Sequence, residues 1–134
     1  MLDLRDQLAN GVHRDIMSCM GIETITVVGA AAIGRTAARL AAGAGFRTIL
    51  EDITGQMIQP AMEELRASLP DGAFVRIEPM TRIEDAVREA DLVLEAVPED
   101  METKLEIFTV LDKSTRPEAI LVSTTSALST ESGR

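Results

Sequence analysis

Residues 24–34 of this 134-residue chain read Thr-Ile-Thr-Val-Val-Gly-Ala-Ala-Ala-Ile-Gly, and they carry the clearest signal for its fold. Its first five residues are rich in β-branched side chains and predict a short buried strand. Apolar residues then recur at three- and four-residue spacing, which predicts a helix over 33–43. Gly29 permits a tight turn out of the strand, and Gly34 permits close packing of the helix on the strand. A strand, a glycine turn and a helix in this order are typical of a site that binds an anion at the helix N-terminus.

The rest of the chain repeats this alternation of strand and helix. Short β-rich runs predict four more strands, at 47–51, 73–77, 91–95 and 119–123. Amphipathic runs predict further helices at 54–69, 82–90 and 101–113. Strands joined by helical crossovers lie parallel in one sheet and carry helices on both faces. The sequence therefore predicts an α/β fold, a doubly wound parallel sheet of about five strands.

An amphipathic stretch precedes the first strand. Apolar residues recur there every four positions, which predicts an N-terminal helix. They are Leu4, Leu8, Val12, Ile16 and Met20. We therefore expect an N-terminal helical extension over 1–22 and one domain over 23–134, because the length leaves no room for a second lobe. The last predicted strand, 119–123, is apolar and predicts self-association as a dimer, with the helix covering it from the same chain or from a partner.

Composition restricts the class of partner. The chain carries 22 acidic and 13 basic residues, a formal net charge of −9 that disfavours binding to nucleic acid or anionic lipid. Cys19 is the only cysteine, which excludes an internal disulfide and favours a reducing, cytoplasmic location. No segment approaches the roughly 18 consecutive apolar residues that a membrane-spanning helix needs. We therefore expect a small-molecule partner and no metal, membrane or nucleic-acid contact.

The candidate cofactor site lies at the carboxyl ends of the predicted strands. The glycine-rich loop consists of Gly29, Ala30, Ala31, Ala32, Ile33 and Gly34. Ala31 replaces the middle glycine of G-x-G-x-x-G, and its methyl group lies where a pyrophosphate would approach. Asp52 follows 23 residues after Gly29, where a carboxylate accepts hydrogen bonds from an adenosine ribose. Asp52, with Glu51 beside it, should repel a 2′-phosphate and favour NAD over NADP. The alternative for Asp52 is a helix cap or a solvated strand end.

Further segments carry a resemblance to a known family. Besides residues 24–34, they are Gly45, Glu51-Asp52-Ile53, Ala90-Asp91-Leu92-Val93-Leu94-Glu95-Ala96-Val97-Pro98-Glu99 and Ser123-Thr124-Thr125-Ser126-Ala127-Leu128. Together they resemble the NAD-binding domain of L-3-hydroxyacyl-CoA dehydrogenases over about residues 24–130. The resemblance implies a Rossmann-like fold, NAD as the cofactor, and hydride transfer between a 3-hydroxyacyl-CoA and NAD.

The resemblance also implies roles for individual residues. Residues 29–34 and Asp52 hold NAD, while Glu99 and Lys104 lie at the cofactor and the CoA substrate. Ser126 hydrogen-bonds the substrate hydroxyl near the nicotinamide. The chain departs from the family pattern at Ala31, Thr124 and Ala127.

Other parts of the family's machinery have no counterpart in this sequence. The helical hairpin that usually follows the second strand is absent, and the general-base histidine and the helical domain that carries it lie beyond the last matching residue. His13 lies in the predicted N-terminal helix and does not replace that base. We therefore expect a chain that is incomplete for catalysis alone. The alternative is a non-catalytic NAD(H)-binding or redox-sensing module; segments 95–99 and 123–128 argue against a different β-hydroxyacid dehydrogenase.

Overall fold

The computed structural model describes Met17, residues 19–97 and residues 101–124, and within these ranges the chain forms one five-stranded parallel sheet. The strands are β1 (Thr24–Val28), β2 (Arg47–Glu51), β3 (Ile77–Met80), β4 (Leu92–Glu95) and β5 (Ile120–Ser123). The helices between them are α1 (Ala32–Gly43), α2 (Gly55–Ser68), α3 (Asp71–Phe74), α4 (Ile83–Val87) and α5 (Met101–Ser114). The predicted doubly wound α/β sheet is confirmed.

The strand order β3-β2-β1-β4-β5 puts β1 at the centre of the sheet. The chain runs from β1 outward through β2 and β3, returns through α4 to β4 on the other side of β1, and continues to β5. Consecutive connections therefore diverge at the carboxyl ends of β1 and β4, the switch point at which sheets of this kind bind ligands. In the register of the sheet, Val28 lies beside Glu51 on one neighbouring strand and beside Glu95 on the other.

The two faces of the sheet are buried against different helices. On one face, α1 and α2 cover the larger apolar layer, in which Phe46, Leu50 and Leu65 are buried. On the other face, a smaller layer contains Val93 and Leu111. Each such side chain contributes about 1.5 to 3 kcal/mol when it leaves water, so the larger layer supplies most of the apolar stabilisation.

The third strand begins at Ile77, and the prediction of a strand over 73–77 was wrong. Pro70 starts a tight turn, and its carbonyl oxygen accepts the backbone N–H groups of Ala73 and Phe74 at 3.0 and 2.9 Å. The short helix α3 forms there and includes Ala73 and Phe74, which β-propensity alone assigns to a strand. β3 lies at the edge of the sheet, where Pro79 is tolerated although it has no N–H group to donate.

Some sequence predictions fall outside the described residues. Residues 1–16 are among these, so the N-terminal helix and the domain boundary after residue 22 stay predictions. In the part of the chain that the structure describes, every helix is too short or too polar to cross a membrane.

Candidate dinucleotide-binding site

Two glycines shape the loop between β1 and α1. Gly29 has a φ of +111°, and a Cβ atom at this position would lie 2.7 Å from the carbonyl oxygen of Ala96. A Cβ atom on Gly34 would lie 1.7 Å from the carbonyl oxygen of Gly29. The end of β1, the first turn of α1 and the segment after β4 therefore meet at points that accept no side chain. The structure thus shows the tight turn and the close packing that the sequence predicts.

The N-terminus of α1 opens from this loop without a side-chain cap. The carbonyl oxygen of Ala31 accepts the N–H of Arg35 at 2.9 Å, so the N–H groups of Ala32, Ile33 and Gly34 precede the first helical hydrogen bond. Ala31 has an extended backbone, with φ −79° and ψ −168°, and alanine occupies this position without strain. Unpaired N–H groups and the helix dipole together suit an anion such as a pyrophosphate.

Asp52 follows β2 and joins the loop to the next turn. Its Oδ2 accepts the N–H of Ala30 at 2.9 Å, and its Oδ1 accepts the N–H and the hydroxyl of Thr54 at 3.0 and 3.1 Å. An ionised carboxylate has about four acceptor positions, so these three bonds leave capacity for a ligand hydroxyl. Asp52 therefore holds the turn before α2 and also stands against the glycine-rich loop, as a ribose-binding carboxylate must.

Glu51 points into the fold instead of toward a ligand phosphate. Its side chain is 2% exposed, and among the described residues its Oε2 has no hydrogen-bond partner. Burial, together with the nearby carboxylates of Asp52 and Glu84, raises the pKa of Glu51 to about 7. The part of Glu51 in repelling a 2′-phosphate stays a prediction, and Asp52 is the acid that stands directly against the loop.

A cavity of about 320 Å³ opens beside Asp52, at the carboxyl ends of β1 and β2. We call it the apolar slot, because most of its wall is aliphatic. This wall is formed by Val28, Ile53, Ile83, Val97, Ile107 and Val110. Glu51 and Asp52 line the β2 end of the slot. Its size falls within the range of small-molecule sites, and its apolar wall suits the faces of a planar base.

A second buried glutamate, Glu95, ends β4. Its Oε1 accepts hydrogen bonds from the Nζ of Lys104, at 3.1 Å, and from the hydroxyl of Ser123, while its Oε2 accepts the N–H of Val97 at 2.8 Å. The Glu95 side chain is fully buried, and that of Lys104 is 13% exposed. Lys104 is thereby held at the carboxyl edge of the sheet. Sequence reasoning singled out Lys104 and missed Glu95; an acidic residue that ends an apolar strand is the signal that could have revealed it.

Arg35 also escaped the sequence reasoning. Its Nε donates a hydrogen bond to the carbonyl oxygen of Ala30 at 3.0 Å, and its guanidinium pairs with Glu64 at 2.7 Å. The side chain thus ties the glycine-rich loop to α2. A lone arginine in the first turn of a helix carries no local signal for such a role.

The structure brings residues 29–34 and Asp52 together at the switch point, with Lys104 on the β4 side. Glu99 and Ser126 lie outside the described residues, as does His13. Their roles, and the contacts that residues 29–34, Asp52 and Lys104 make with cofactor or substrate, stay predictions. Among the described residues, no group of three or more His, Cys, Asp or Glu side chains could hold a metal ion.

The strand order and the glycine loop at the switch point place this chain among the Rossmann-type dinucleotide-binding domains. A family model described as 3-hydroxyacyl-CoA dehydrogenase, NAD binding domain, matches residues 24–132. The chain therefore belongs to the 3-hydroxyacyl-CoA dehydrogenase family, of which it carries the NAD-binding domain, and its cofactor is NAD.

Individual relatives agree with this assignment. A human lambda-crystallin homolog is 36% identical over 118 residues, which cover 78% of this chain and 37% of the relative. A probable 3-hydroxybutyryl-CoA dehydrogenase of Bacillus subtilis is 33% identical over 122 residues, covering 81% of this chain and 42% of the relative. The crystal structure of an Escherichia coli 3-hydroxybutyryl-CoA dehydrogenase matches with a TM-score of 0.70 at 29% identity, over 78% of this chain and 25% of that chain. The chain spans about two-fifths of the length of these two curated relatives.

Proposed function

We propose that this chain is the cofactor-binding part of an oxidoreductase that transfers hydride between a 3-hydroxyacyl-CoA and NAD. The names of the Bacillus and Escherichia relatives support this substrate class. The observation that carries the binding role is the 2.9 Å hydrogen bond from the N–H of Ala30 to Asp52. It fixes the carboxylate that would bind the adenosine ribose against the loop that would bind the pyrophosphate.

The adenosine and pyrophosphate parts of NAD have counterparts among the described residues. The open N-terminus of α1 suits the pyrophosphate, Asp52 suits the ribose diol, and the apolar slot suits the adenine. Bound NAD supplies the hydride acceptor. Across the switch point, Lys104 would contact the nicotinamide half and the CoA substrate, together with Glu99, and Ser126 would hold the substrate hydroxyl.

We further propose that the chain does not turn over substrate alone. Oxidation of a hydroxyl group needs a base for its proton as well as an acceptor for the hydride, and a positioned base contributes typically about 10² to 10⁴-fold. The family resemblance assigns that base to a histidine beyond the residues matched here. With acetoacetyl-CoA and NADH, we expect no absorbance change above background. Clear turnover would contradict this proposal, and binding of NAD without an acyl-CoA effect would favour the alternative of a redox-sensing module.

Calorimetry with NAD and NADP tests the role of Asp52. NAD should bind at least about tenfold more tightly than NADP, because an ionised carboxylate repels a 2′-phosphate and hydrogen-bonds a ribose diol. Asp52→Ser should weaken NAD binding by about tenfold and narrow the preference. Asp71→Ser, an exposed change in α3, is the matched control. Tighter binding of NADP by the unmodified chain would show that the ribose assignment is wrong.

We also propose that the chain forms a homodimer through the edge of the sheet at β5. Ile120, Leu121 and Val122 support this, because they are 44%, 43% and 41% exposed on an edge strand. Light scattering coupled to size exclusion should give twice the monomer mass. A monomer at high micromolar concentration would refute the dimer.

Location in the cytoplasm stays a prediction from the sequence.

A further inference from the structure

Glu51 is a buried acid for which the described residues supply no hydrogen-bond partner at Oε2. It ends β2, a strand whose other buried residues, Thr48, Ile49 and Leu50, need no ion partner. Buried polar atoms in folded proteins are almost always paired, and an exception needs an explanation. Glu51 also lines the apolar slot, with Oε2 itself closed to solvent, so a ligand in the slot would lie close to the Glu51 side chain.

Among the described residues, acidic groups act on Glu51 or line the slot with it. They are Asp52 on its own segment, Glu84 at the start of α4, and Glu106 on α5, which lines the same slot. The lysine at this edge of the sheet, Lys104, is bound to Glu95 on the other side of β1. Burial and the carboxylates of Asp52 and Glu84 raise the pKa of Glu51 to about 7, so its carboxyl group holds its proton at lower pH.

A protonated carboxyl group carries one donor and one acceptor side by side. The side-chain amide of glutamine offers the same pair, and this pair matches the amino group and N7 of adenine. An ionised carboxylate offers acceptors only and lacks half of this match. The neutral form of Glu51 is therefore the form that suits an adenine edge.

We propose that Glu51 is a base-recognition residue of the NAD site, whose protonated carboxyl group hydrogen-bonds the edge of the adenine ring in the apolar slot. The inference rests on the proposed NAD-binding role of the slot. Because Oε2 is closed to solvent, the Glu51 side chain turns toward the slot when the base binds, and Oε2 then gains the partner that it lacks. This contact also makes NAD binding depend on pH, because only the protonated fraction of the chain binds with full affinity.

The direction of that dependence follows from the pKa of about 7. Almost all Glu51 is neutral at pH 6, whereas about one tenth is neutral at pH 8, so NAD should bind about tenfold more weakly at pH 8. Calorimetry at both pH values tests this. Glu51→Gln keeps the donor and acceptor and has no proton to lose, so its affinity should equal that of the unmodified chain at pH 6 and stay constant. Glu63→Gln, the same change on the exposed face of α2, should retain the tenfold difference.

A second ligand tests recognition of the base itself. Nicotinamide hypoxanthine dinucleotide has a keto oxygen in place of the adenine amino group. On the N7 edge its base therefore offers two acceptors and lacks the donor that Glu51 would bind. At pH 6 the unmodified chain and Glu51→Gln should prefer NAD by about tenfold, whereas Glu51→Leu should lose the preference. Circular dichroism checks that each variant is folded, and if Glu51→Leu does not fold, the pH profile of Glu51→Gln decides.

Two results would overturn the inference while leaving the proposed function intact. One is NAD binding by the unmodified chain with the same affinity at both pH values; the other is an unchanged base preference in Glu51→Leu. A tenfold pH dependence that persists in Glu51→Gln would also overturn it and would assign the titration to another group, such as His13. Failure of the unmodified chain to bind NAD at either pH would refute the proposed function and this inference together.

Discussion

Glu51 and Glu95 end two strands on either side of β1, and each lies in register with Val28. Both side chains are buried to a similar degree. Glu95 is paired with Lys104 and Ser123, whereas the Oε2 of Glu51 has no partner among the described residues. A buried glutamate is thus paired on the β4 side of β1 and lacks a partner at Oε2 on the β2 side. Glu95 and Glu51 therefore differ in their hydrogen-bond partners and not in their burial. A paired buried acid stabilises the fold, whereas an unpaired one is free to take up a proton or to bind a ligand.

The pairing has structural consequences on the β4 side. Glu95 connects β4, β5 and α5 through a single carboxyl group, so this half of the edge is braced by the protein itself. The β2 half has no such brace at Glu51 and contains the apolar slot instead. Glu95 thereby positions Lys104, while the proposed adenine contact would give Glu51 its partner.

The largest effect should come from removing the partner of the paired acid. Lys104→Met leaves the buried Glu95 without its cation and should lower the free energy of unfolding by about 3 kcal/mol. Urea denaturation measures this, and Lys113→Met, an exposed change near the end of α5, should change stability by less than about 0.5 kcal/mol. Equal stability of the two variants would mean that the ion pair does not brace this edge.

A smaller effect on stability should come from deprotonation of Glu51, the acid whose Oε2 has no partner among the described residues. The folded pKa of Glu51, about 7, lies above its ordinary value of 4.5, so the stability linked to its proton is complete below pH 4.5 and is lost as the pH rises through 7. Glu51→Gln avoids that loss. From pH 5.5 to pH 8, the variant should gain about 2 kcal/mol relative to the unmodified chain in urea denaturation. A difference that is constant with pH would contradict the raised pKa.

The smallest effect should come from removing one hydrogen bond to the paired acid. Ser123→Ala deletes the hydroxyl that donates to Glu95, and we expect a loss of about 1 kcal/mol. Ser68→Ala, at the exposed end of α2, serves as the control and should stay within about 0.5 kcal/mol of the unmodified chain. If Ser123→Ala is as stable as that control, Lys104 and the backbone alone satisfy Glu95.

The fold could be predicted because its signals are local. The strand, glycine turn and helix of residues 24–43 are encoded in one continuous stretch, and the same alternation recurs along the chain. β3 was placed too early because the run at 73–77 has strand-like residues, and the turn at Pro70 overrides them through backbone hydrogen bonds. A prediction from β-propensity depends on residue types alone and does not include such hydrogen bonds.

The site residues likewise fall into those with a local sequence signal and those that depend on long-range contacts. Gly29, Gly34 and Asp52 were found because their spacing follows directly from the strand and helix that carry them. The contrast between Glu51 and Glu95 was missed, because it depends on which strands are neighbours and on what α5 places above each of them. Those are long-range relations, and the local sequence is alike for both residues, since each is an acid that ends an apolar strand.

The contacts at Gly29 and Gly34 also restrict how this loop can evolve. Every amino acid that a single base change can make from a glycine codon carries a Cβ atom, and at both positions that atom collides with a backbone carbonyl oxygen. Neither glycine can therefore be replaced without a shift of the backbone around it. The middle position is different, because the extended backbone of Ala31 accepts the extra methyl group. Of the three glycine positions of the motif, the middle one is therefore the position at which a lineage can keep an alanine.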